Sequence, residues 1–372
     1  MIAGSAPKSL YVHVPFCRGI CYYCDFRRQM YRSDIAERWL KAIAFELLHT
    51  EMPAGLETVY IGGGTPTSLS EDQLEELLNL LDPLVKHVKE YTVEVNPETV
   101  SEETVQMLCA HGVNRISIGL QTADEKLLSA LNRHHAKEDV RRVVDQFFRC
   151  GISNISLDLM YGLPHQSMSS LQESAEFALS LSPAHLSLYS LTIEENSVFG
   201  KRGVKTADED TEADMYEWIV SFLKQRGYDH YEISNFARGG MVSKHNVNVW
   251  HYDDFIGLGY GAWGKDDKGR YDHADSLRAY LNDPCCRNYT VLSKEEQMYE
   301  SLMMGLRLRE GVSCGLFHER FGASIIEVYP MTVQKYLSYG LLKKDGDRLF
   351  CSEEGLAVLN SILVDLMEEA GI

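Results

Sequence analysis

Cys17, Cys21 and Cys24 stand as C-x3-C-x2-C in the segment HVPFCRGICYYCDF, near the start of a 372-residue chain. Three thiolates are one short of a closed tetrahedral zinc site. They suit a cubane iron–sulfur cluster in which one iron keeps a position free of protein sulfur. Such an iron can hold a substrate or cofactor, so the cluster would act as a reagent rather than a strut. Two blander readings stand beside it: a zinc site completed by a distant ligand, and buried free thiols.

A second feature follows one strand–helix unit later. GGGTPT, with Gly62, Gly63, Gly64 and Thr65, lies between a strand-like stretch and a helix-like one. Glycines at such a turn let main-chain groups approach a ligand without Cβ hindrance. The motif is common by itself; after a cysteine loop it carries more weight.

The elements that must position these residues can be read from hydrophobic patterning. LYVHVPF (10–16), ETVYIGGG (57–64), EYTVEVNPE (90–98), RISIGLQ (115–121), NISLDLMYGLP (154–164) and HLSLYSLTIE (185–194) are short, apolar and β-rich. Helical spacing alternates with them: 34–50, opening on an acidic cap; 70–84, with Ser70 and Gln73 in capping-box register; 101–112; material to about 150; 170–181; and 208–227. Six βα units predict a parallel α/β sheet or barrel. The candidate residues then fall at the C-terminal strand ends, where both architectures place function.

Residues 239–289 read as a less regular connecting segment rich in His, Asn, Trp, Tyr and Asp. From about 290 the pattern is helix (293–308), helix broken by proline (325–340), a hairpin around a DG turn (341–352) and a last helix (353–370), which is the order of a winged-helix-like module. The stretch 290–372 holds 8 Lys+Arg against 13 Asp+Glu, and the whole chain has net charge -18. Both argue against a nucleic-acid partner. No apolar run is long enough for a membrane span. The N-terminus lacks a charged n-region followed by an apolar h-region, so a reducing cytoplasm is expected for the nine cysteines. Of the remaining cysteines, Cys109 and Cys150 are expected to be buried, Cys314 and Cys351 to be structural, and Cys285 and Cys286 to lie in a loop.

Taken together, the cysteine spacing, Tyr23 just before the third cysteine, and the glycine turn resemble the radical S-adenosylmethionine superfamily. The segments from Tyr11 to Phe26, GGGTPTSL, EVNPE, IGLQ, LNRHH and DLMYGLP are similar to the branch that holds oxygen-independent coproporphyrinogen III oxidase and the HemW haem chaperone family. The likeness extends over nearly the whole chain. It implies an incomplete (β/α)6 TIM-type barrel (1–238), a connecting segment (239–289) with an HN-x-x-x-W motif, and a C-terminal helical, winged-helix-like domain (290–372). It implies a 4Fe-4S cluster on Cys17, Cys21 and Cys24, with S-adenosylmethionine on the free iron, where one electron from the reduced cluster splits the sulfonium and yields a 5′-deoxyadenosyl radical. It assigns Tyr11, Tyr23, Gly64, Thr65, Glu94, Gln121, Arg133 and Asp158 to S-adenosylmethionine. Carboxylates suit its ammonium and diol, and a guanidinium suits its carboxylate.

Within the branch, the oxidase carries a further cysteine two positions after the third; here that position is Phe26. The oxidase also has a long N-terminal extension, whereas 16 residues precede Cys17 here. Both favour the chaperone side. His245, in KHNVNVWHY, matches the family's HNxxYW motif except that Val249 stands at the tyrosine position. The resemblance makes His245 a haem ligand, with His251 as an alternative; the plainer reading is a hydrogen-bonded loop histidine. His134 and His135 line the pocket or cap a helix. The function implied is delivery of haem to acceptor proteins, with room for a homodimer and for peripheral membrane association. The rivals are oxidative decarboxylation of coproporphyrinogen propionates, and another radical reaction on haem.

Overall fold

The computed structural model describes residues 6–372. Six strands follow one another in parallel: β1 (Ser9–Val14), β2 (Thr58–Gly63), β3 (Glu90–Val95), β4 (Arg115–Gln121), β5 (Asn154–Tyr161) and β6 (His185–Ser190). Each pairs with the next, in registers such as Ser9 with Thr58, Thr58 with Glu90 and Ser156 with His185. The helices between them are α1 (Ser33–His49), α2 (Glu71–Val85), α3 (Glu102–Ala110), α4 (Lys137–Arg149) and α5 (Met168–Ser180), with α6 (Glu209–Lys224) after β6. This is the expected six-unit incomplete barrel. It stays open because β6 continues into antiparallel β8 (Asn235–Ala237) and β7 (Asp229–Glu232) instead of returning to β1.

Within these short, apolar, β-rich strands the side chains alternate strictly between two faces. Leu10, Val12, Val59, Ile61, Tyr91, Val93, Ile116, Ile118, Ile155 and Leu157 face the helices and form the main core. The residues between them (Tyr11, His13, Tyr60, Glu94, Ser117, Asp158, Ser187) bond among themselves. Successive side chains of a strand point to opposite faces, so the barrel is greasy outside its sheet and polar within. The helices start where their caps dictate. Ser70 and Gln73 of α2 make the reciprocal capping box. In α1 the N-cap is Arg32, with no side-chain cap bond, and the expected acidic cap residue Asp34 lies inside the first turn, bonded by Arg32.

Residues 239–289 are more regular than their composition suggests. They form helix α7 (Lys244–Trp250) and strands β9 (Phe255–Leu258), β10 (Trp263–Lys265) and β11 (Gly269–His273), and β12 (Arg287–Val291) follows. Strand β9 runs parallel to β1, and the others extend the sheet antiparallel to twelve strands. A buried carboxylate fastens this extension: Glu46 of α1 meets His273 Nε2 (2.5 Å), Tyr280 Oη (2.8 Å) and Gly259 N (3.0 Å).

The C-terminal region has its own core around Leu302, Phe317, Tyr329, Val333 and Ile362. It comprises α8 (Lys294–Gly305), α9 (Cys314–Phe321), α10 (Pro330–Ser338) and α11 (Leu359–Ala370), with a wing of β13 (Val312–Ser313), β14 (Leu342–Asp345) and β15 (Arg348–Cys351) in the order β13-β15-β14. The hairpin turns at Gly346, as the DG signal predicts. The last helical stretch is interrupted at Val358. Among the described residues no helix is long and apolar enough to cross a membrane.

Candidate functional site

The cysteine loop leaves the C-terminal end of β1 and is tied down by main-chain bonds. Tyr22 N donates to Leu131 O (3.1 Å), Phe199 N to Tyr22 O (2.9 Å), and Asn132 Nδ2 to Ile20 O (2.8 Å). His13, on the inner face of β1, bonds Arg27 O through Nε2 (2.9 Å) and fixes the loop's exit. Cys17 is buried; Cys21 and Cys24 are half-buried. Burial, then the neighbouring Cys24 and Cys21, push the Cys17 thiol up to about 12. Burial also raises Cys24, against the pull of Arg28, whose guanidinium bonds the Cys24 carbonyl. The three sulfurs therefore lie in one another's field. Among the described residues no group of three His, Cys, Asp or Glu side chains converges on a single ion, as mononuclear zinc requires. Three cysteines on one loop, one short of a closed zinc site, are the donor set that suits a cluster with one open iron.

The glycine turn serves this loop more directly than the sequence implied. A Cβ on Gly64 would fall 2.5 Å from Phe16 O and 3.0 Å from Cys17 Sγ. A Cβ on Gly62 would fall 2.8 Å from the carboxyl carbon of Glu94. The close approach is thus to the protein's own thiol and carboxylate. Glu94 accepts from Tyr60 Oη (2.7 Å) and Gly63 N (3.1 Å). Burial nevertheless holds its pKa up at about 7, with Tyr60 pulling downward and Asp158 pushing further up. Asp158 accepts from Ser117 Oγ (3.0 Å), and burial raises it to about 6.

Arg133 lies below the loop, 5% exposed, and is already engaged. Its guanidinium reaches Asn96 Oδ1 (2.9 Å) and Gly119 O (2.8 Å), with Cys21 Sγ at 3.9 Å and Glu98 at 4.0 Å. Glu98 is held down at about 2: burial would raise it, but His135 and Arg133 outweigh burial. His135 is buried, with Nε2 on Leu120 O (3.1 Å) and Nδ1 3.5 Å from Glu98; it caps nothing, since the N-cap of α4 is Ala136. Thr65 is buried and receives Asn96 Nδ2 (2.8 Å). Gln121 ends β4 at a bulge with φ 64°, a backbone conformation found often beside functional sites. The ring of Tyr23 is half-buried beside Cys21 and Arg133. Tyr11 lies deeper, its hydroxyl 3.1 Å from His13 Nδ1.

The structure thus gathers Cys17, Cys21, Cys24, Tyr23, Gly64, Thr65, Gln121 and Arg133 at one end of the barrel. Glu94 and Asp158 project into the lumen beneath them. Asn96 was missed as a site residue although it lies in the EVNPE segment; it bridges Thr65 and Arg133. Arg115 was missed too. It is 2% exposed, its Nε is buried without a partner, and its charge draws both lumen carboxylates down. A lone arginine opening an apolar strand was its only signal.

His245 belongs to the opposite end. It lies on α7, which closes the N-terminal mouth of the barrel. There Glu90 accepts from Lys244 N and His245 N (both 2.9 Å), and Asn248 Nδ2 donates to Ser9 Oγ (3.1 Å). His245 is 5% exposed, its Nδ1 is 3.0 Å from Thr58 Oγ1, and burial, then Arg115, depresses it to about 3. It is a neutral imidazole packed 5.2 Å from the ring of Tyr60, not a loop histidine. His251, at the end of the same helix, points outward to Glu310 (2.6 Å). Cys150, expected to be buried, is exposed; Cys109 and Cys314 are half-buried, Cys351 is buried, and Cys285 and Cys286 are exposed.

Comparison with known proteins follows this geometry. The model of the radical SAM superfamily matches residues 11–178, and that of the HemN C-terminal domain matches 292–358. The chain is 36% identical over 370 residues to "Heme chaperone HemW" of Bacillus subtilis, covering 95% of this chain and 98% of that protein. It is 32% identical to the Escherichia coli protein of the same name, at 96% and 97% coverage. It is 33% identical to the mouse mitochondrial "Radical S-adenosyl methionine domain-containing protein 1", at 99% and 89% coverage. Among solved structures, coproporphyrinogen III oxidase (HemN) of Escherichia coli superposes with a TM-score of 0.85 at 21% identity, covering 98% of this chain and 91% of that one. That likeness establishes the shared fold.

Proposed function

The chain belongs to the HemW family, within the radical S-adenosylmethionine superfamily, and from this membership we propose that it is a haem chaperone that binds haem and passes it to acceptor proteins. The observation that carries the reading is end-to-end likeness to proteins named as haem chaperones. Phe26 supports it: this side chain is 63% exposed at the position where the oxidase branch has its further cysteine.

In this reading Cys17, Cys21 and Cys24 would hold a 4Fe-4S cluster, and the polar residues at the same barrel end would hold S-adenosylmethionine. The bound cluster would supply single electrons to the sulfonium. The protein's share is placement. Gly64 keeps the turn flush against Cys17. Glu94 and Asp158 would accept from the ammonium and ribose hydroxyls, with Gln121, Tyr23 and Thr65 as further contacts. Tyr11 supports them from below through His13. Arg133 orients Asn96 through Nη1 and holds Gly119 O through Nη2, while its buried Nε has no partner and is the donor left for a ligand. Free thiols suit a reducing cytoplasm. A homodimer would find an open sheet edge in β12, whose residues from Asn288 to Val291 are exposed.

One anaerobic preparation tests the reading. It should bind haemin and release it to an apo-acceptor, and it should convert no coproporphyrinogen III. Robust production of protoporphyrinogen sinks the chaperone reading in favour of the oxidase.

A further inference from the structure

The three cysteines are held in different ways. Cys17 pairs with Met30 in a short parallel ladder. Cys21 stands between Ile20 and Tyr22, which bond Asn132 and Leu131. Cys24 is tied within its own loop, through its amide to Cys21 O (3.2 Å) and its carbonyl to Arg28. Its next anchor is Arg27, three residues on. His13 Nε2 holds the Arg27 carbonyl from the barrel side (2.9 Å), and the Arg27 side chain crosses to β11 of the sheet extension. There Nη1 donates to His273 O (2.9 Å) and Ala274 O (3.1 Å), and Nη2 donates to the buried Asp272 (2.8 Å). Bonds to one carboxylate and two carbonyls fix a guanidinium in orientation as well as place.

The turn after β9 is shaped to the same contact. Gly259 and Gly261 have positive φ, 93° and 101°. A Cβ on Gly261 would fall 2.8 Å from His13 Nε2 and 3.1 Å from Arg27 Cβ, and one on Gly259 would fall 2.7 Å from His13 O. Both the conformation and the close approach call for glycine. Behind this turn His273 Nδ1 lies 3.1 Å from Ala262 O, and its Nε2 meets the buried Glu46. The extension is thus seated on α1 without help from the cysteines, and it bears on the exit of their loop.

We propose that Arg27 is a positioning residue for the cluster loop, and that through it the loading of the three cysteines and the order of β11 are coupled in both directions. Such a coupling is reciprocal by thermodynamic necessity. The proposal rests on the assignment of the cluster to Cys17, Cys21 and Cys24.

The test uses full chains reconstituted anaerobically with iron and sulfide. Arg27→Gln should lose iron to a ferrous chelator about tenfold faster than the parent, the scale of losing hydrogen bonds to a charged group. Arg27→Lys and Asp272→Asn, which each keep part of the fork, should fall between the two. Arg32→Gln removes an exposed arginine paired with Asp34 and should keep iron as the parent does. Amide exchange over residues 269–274 should slow when the parent is reconstituted and should not respond in Arg27→Gln; a general loss of stability would not produce that pattern. Equal iron loss in Arg27→Gln and the parent, or exchange in the parent that ignores reconstitution, overturns the coupling while the cluster assignment stands. If Arg27→Gln does not fold, Asp272→Asn decides by the same two measurements. A parent that takes up no iron–sulfur cluster overturns the assignment and the coupling with it.

Discussion

Gly64→Ala tests whether the glycine turn exists to seat the cluster loop. The added Cβ would lie 2.5 Å from the carbonyl oxygen of Phe16 and 3.0 Å from Cys17 Sγ. That carbonyl cannot simply yield, because it accepts from Thr65 N (2.8 Å), while Gly64 N is itself bound to Val14 O (2.8 Å). Overpacking of this kind costs about 1–3 kcal/mol, and breaking the Thr65 bond adds about 1 kcal/mol. The total of about 2–4 kcal/mol corresponds to a fall of several degrees in melting temperature for a chain of this length. The strain falls on Cys17, so iron content per chain should drop along with stability. Gly19→Ala in the same loop is the control, since nothing lies within 4 Å of its Cβ position. The assays are thermal unfolding and iron content after anaerobic reconstitution. If Gly64→Ala melts within about 1 °C of the parent and carries a full cluster, the steric argument is wrong.

Three further outcomes follow from the lumen and the floor. Burial holds Glu94 up at about 7, so this carboxyl is protonated below that pH, and a cationic ligand must wait for the carboxylate. S-adenosylmethionine affinity should therefore fall about tenfold from pH 8 to pH 6, and Glu94→Gln should flatten the profile; calorimetry showing no pH dependence in the parent refutes the role. Glu46→Ala strands buried partners on His273, Tyr280 and Gly259, and should cost about 3–5 kcal/mol in denaturant unfolding; a loss under about 1 kcal/mol would mean that the extension is held elsewhere. Glu90→Ala removes the acceptor for Lys244 N and His245 N. It should cost about 1–2 kcal/mol and speed amide exchange over residues 244–250, whereas unchanged exchange would separate Glu90 from the closure of the floor.

Much of this architecture is local and so legible in the chain. Strand–helix alternation, the Ser70–Gln73 capping box and the DG hairpin depend on neighbours a few residues apart, and all three appear where the spacing places them. The cysteine loop and glycine turn are local as well, so the candidate cluster end was readable before any packing was known. The strand interiors were read less well. Their apolar residues stood out, while the alternate polar residues signalled nothing until closure turned them inward. Asn96 and Arg115 matter through partners brought together by other strands, and no spacing within their own segments announces that.

The three cysteines and their register against the glycines set which chemistry this chain can attempt, because thiolate number and spacing are covalent facts. Where the histidines of KHNVNVWHY point was decided by the tertiary structure. In sequence His245 and His251 are near neighbours in one polar segment. Helix α7 turns them apart, placing one against Thr58 in the closed floor and the other beside Glu310 on the outer side. Nothing in seven residues specifies that division. It comes from Glu90, Ser9 and Thr58, which capture one face of the helix and leave the other to the C-terminal region.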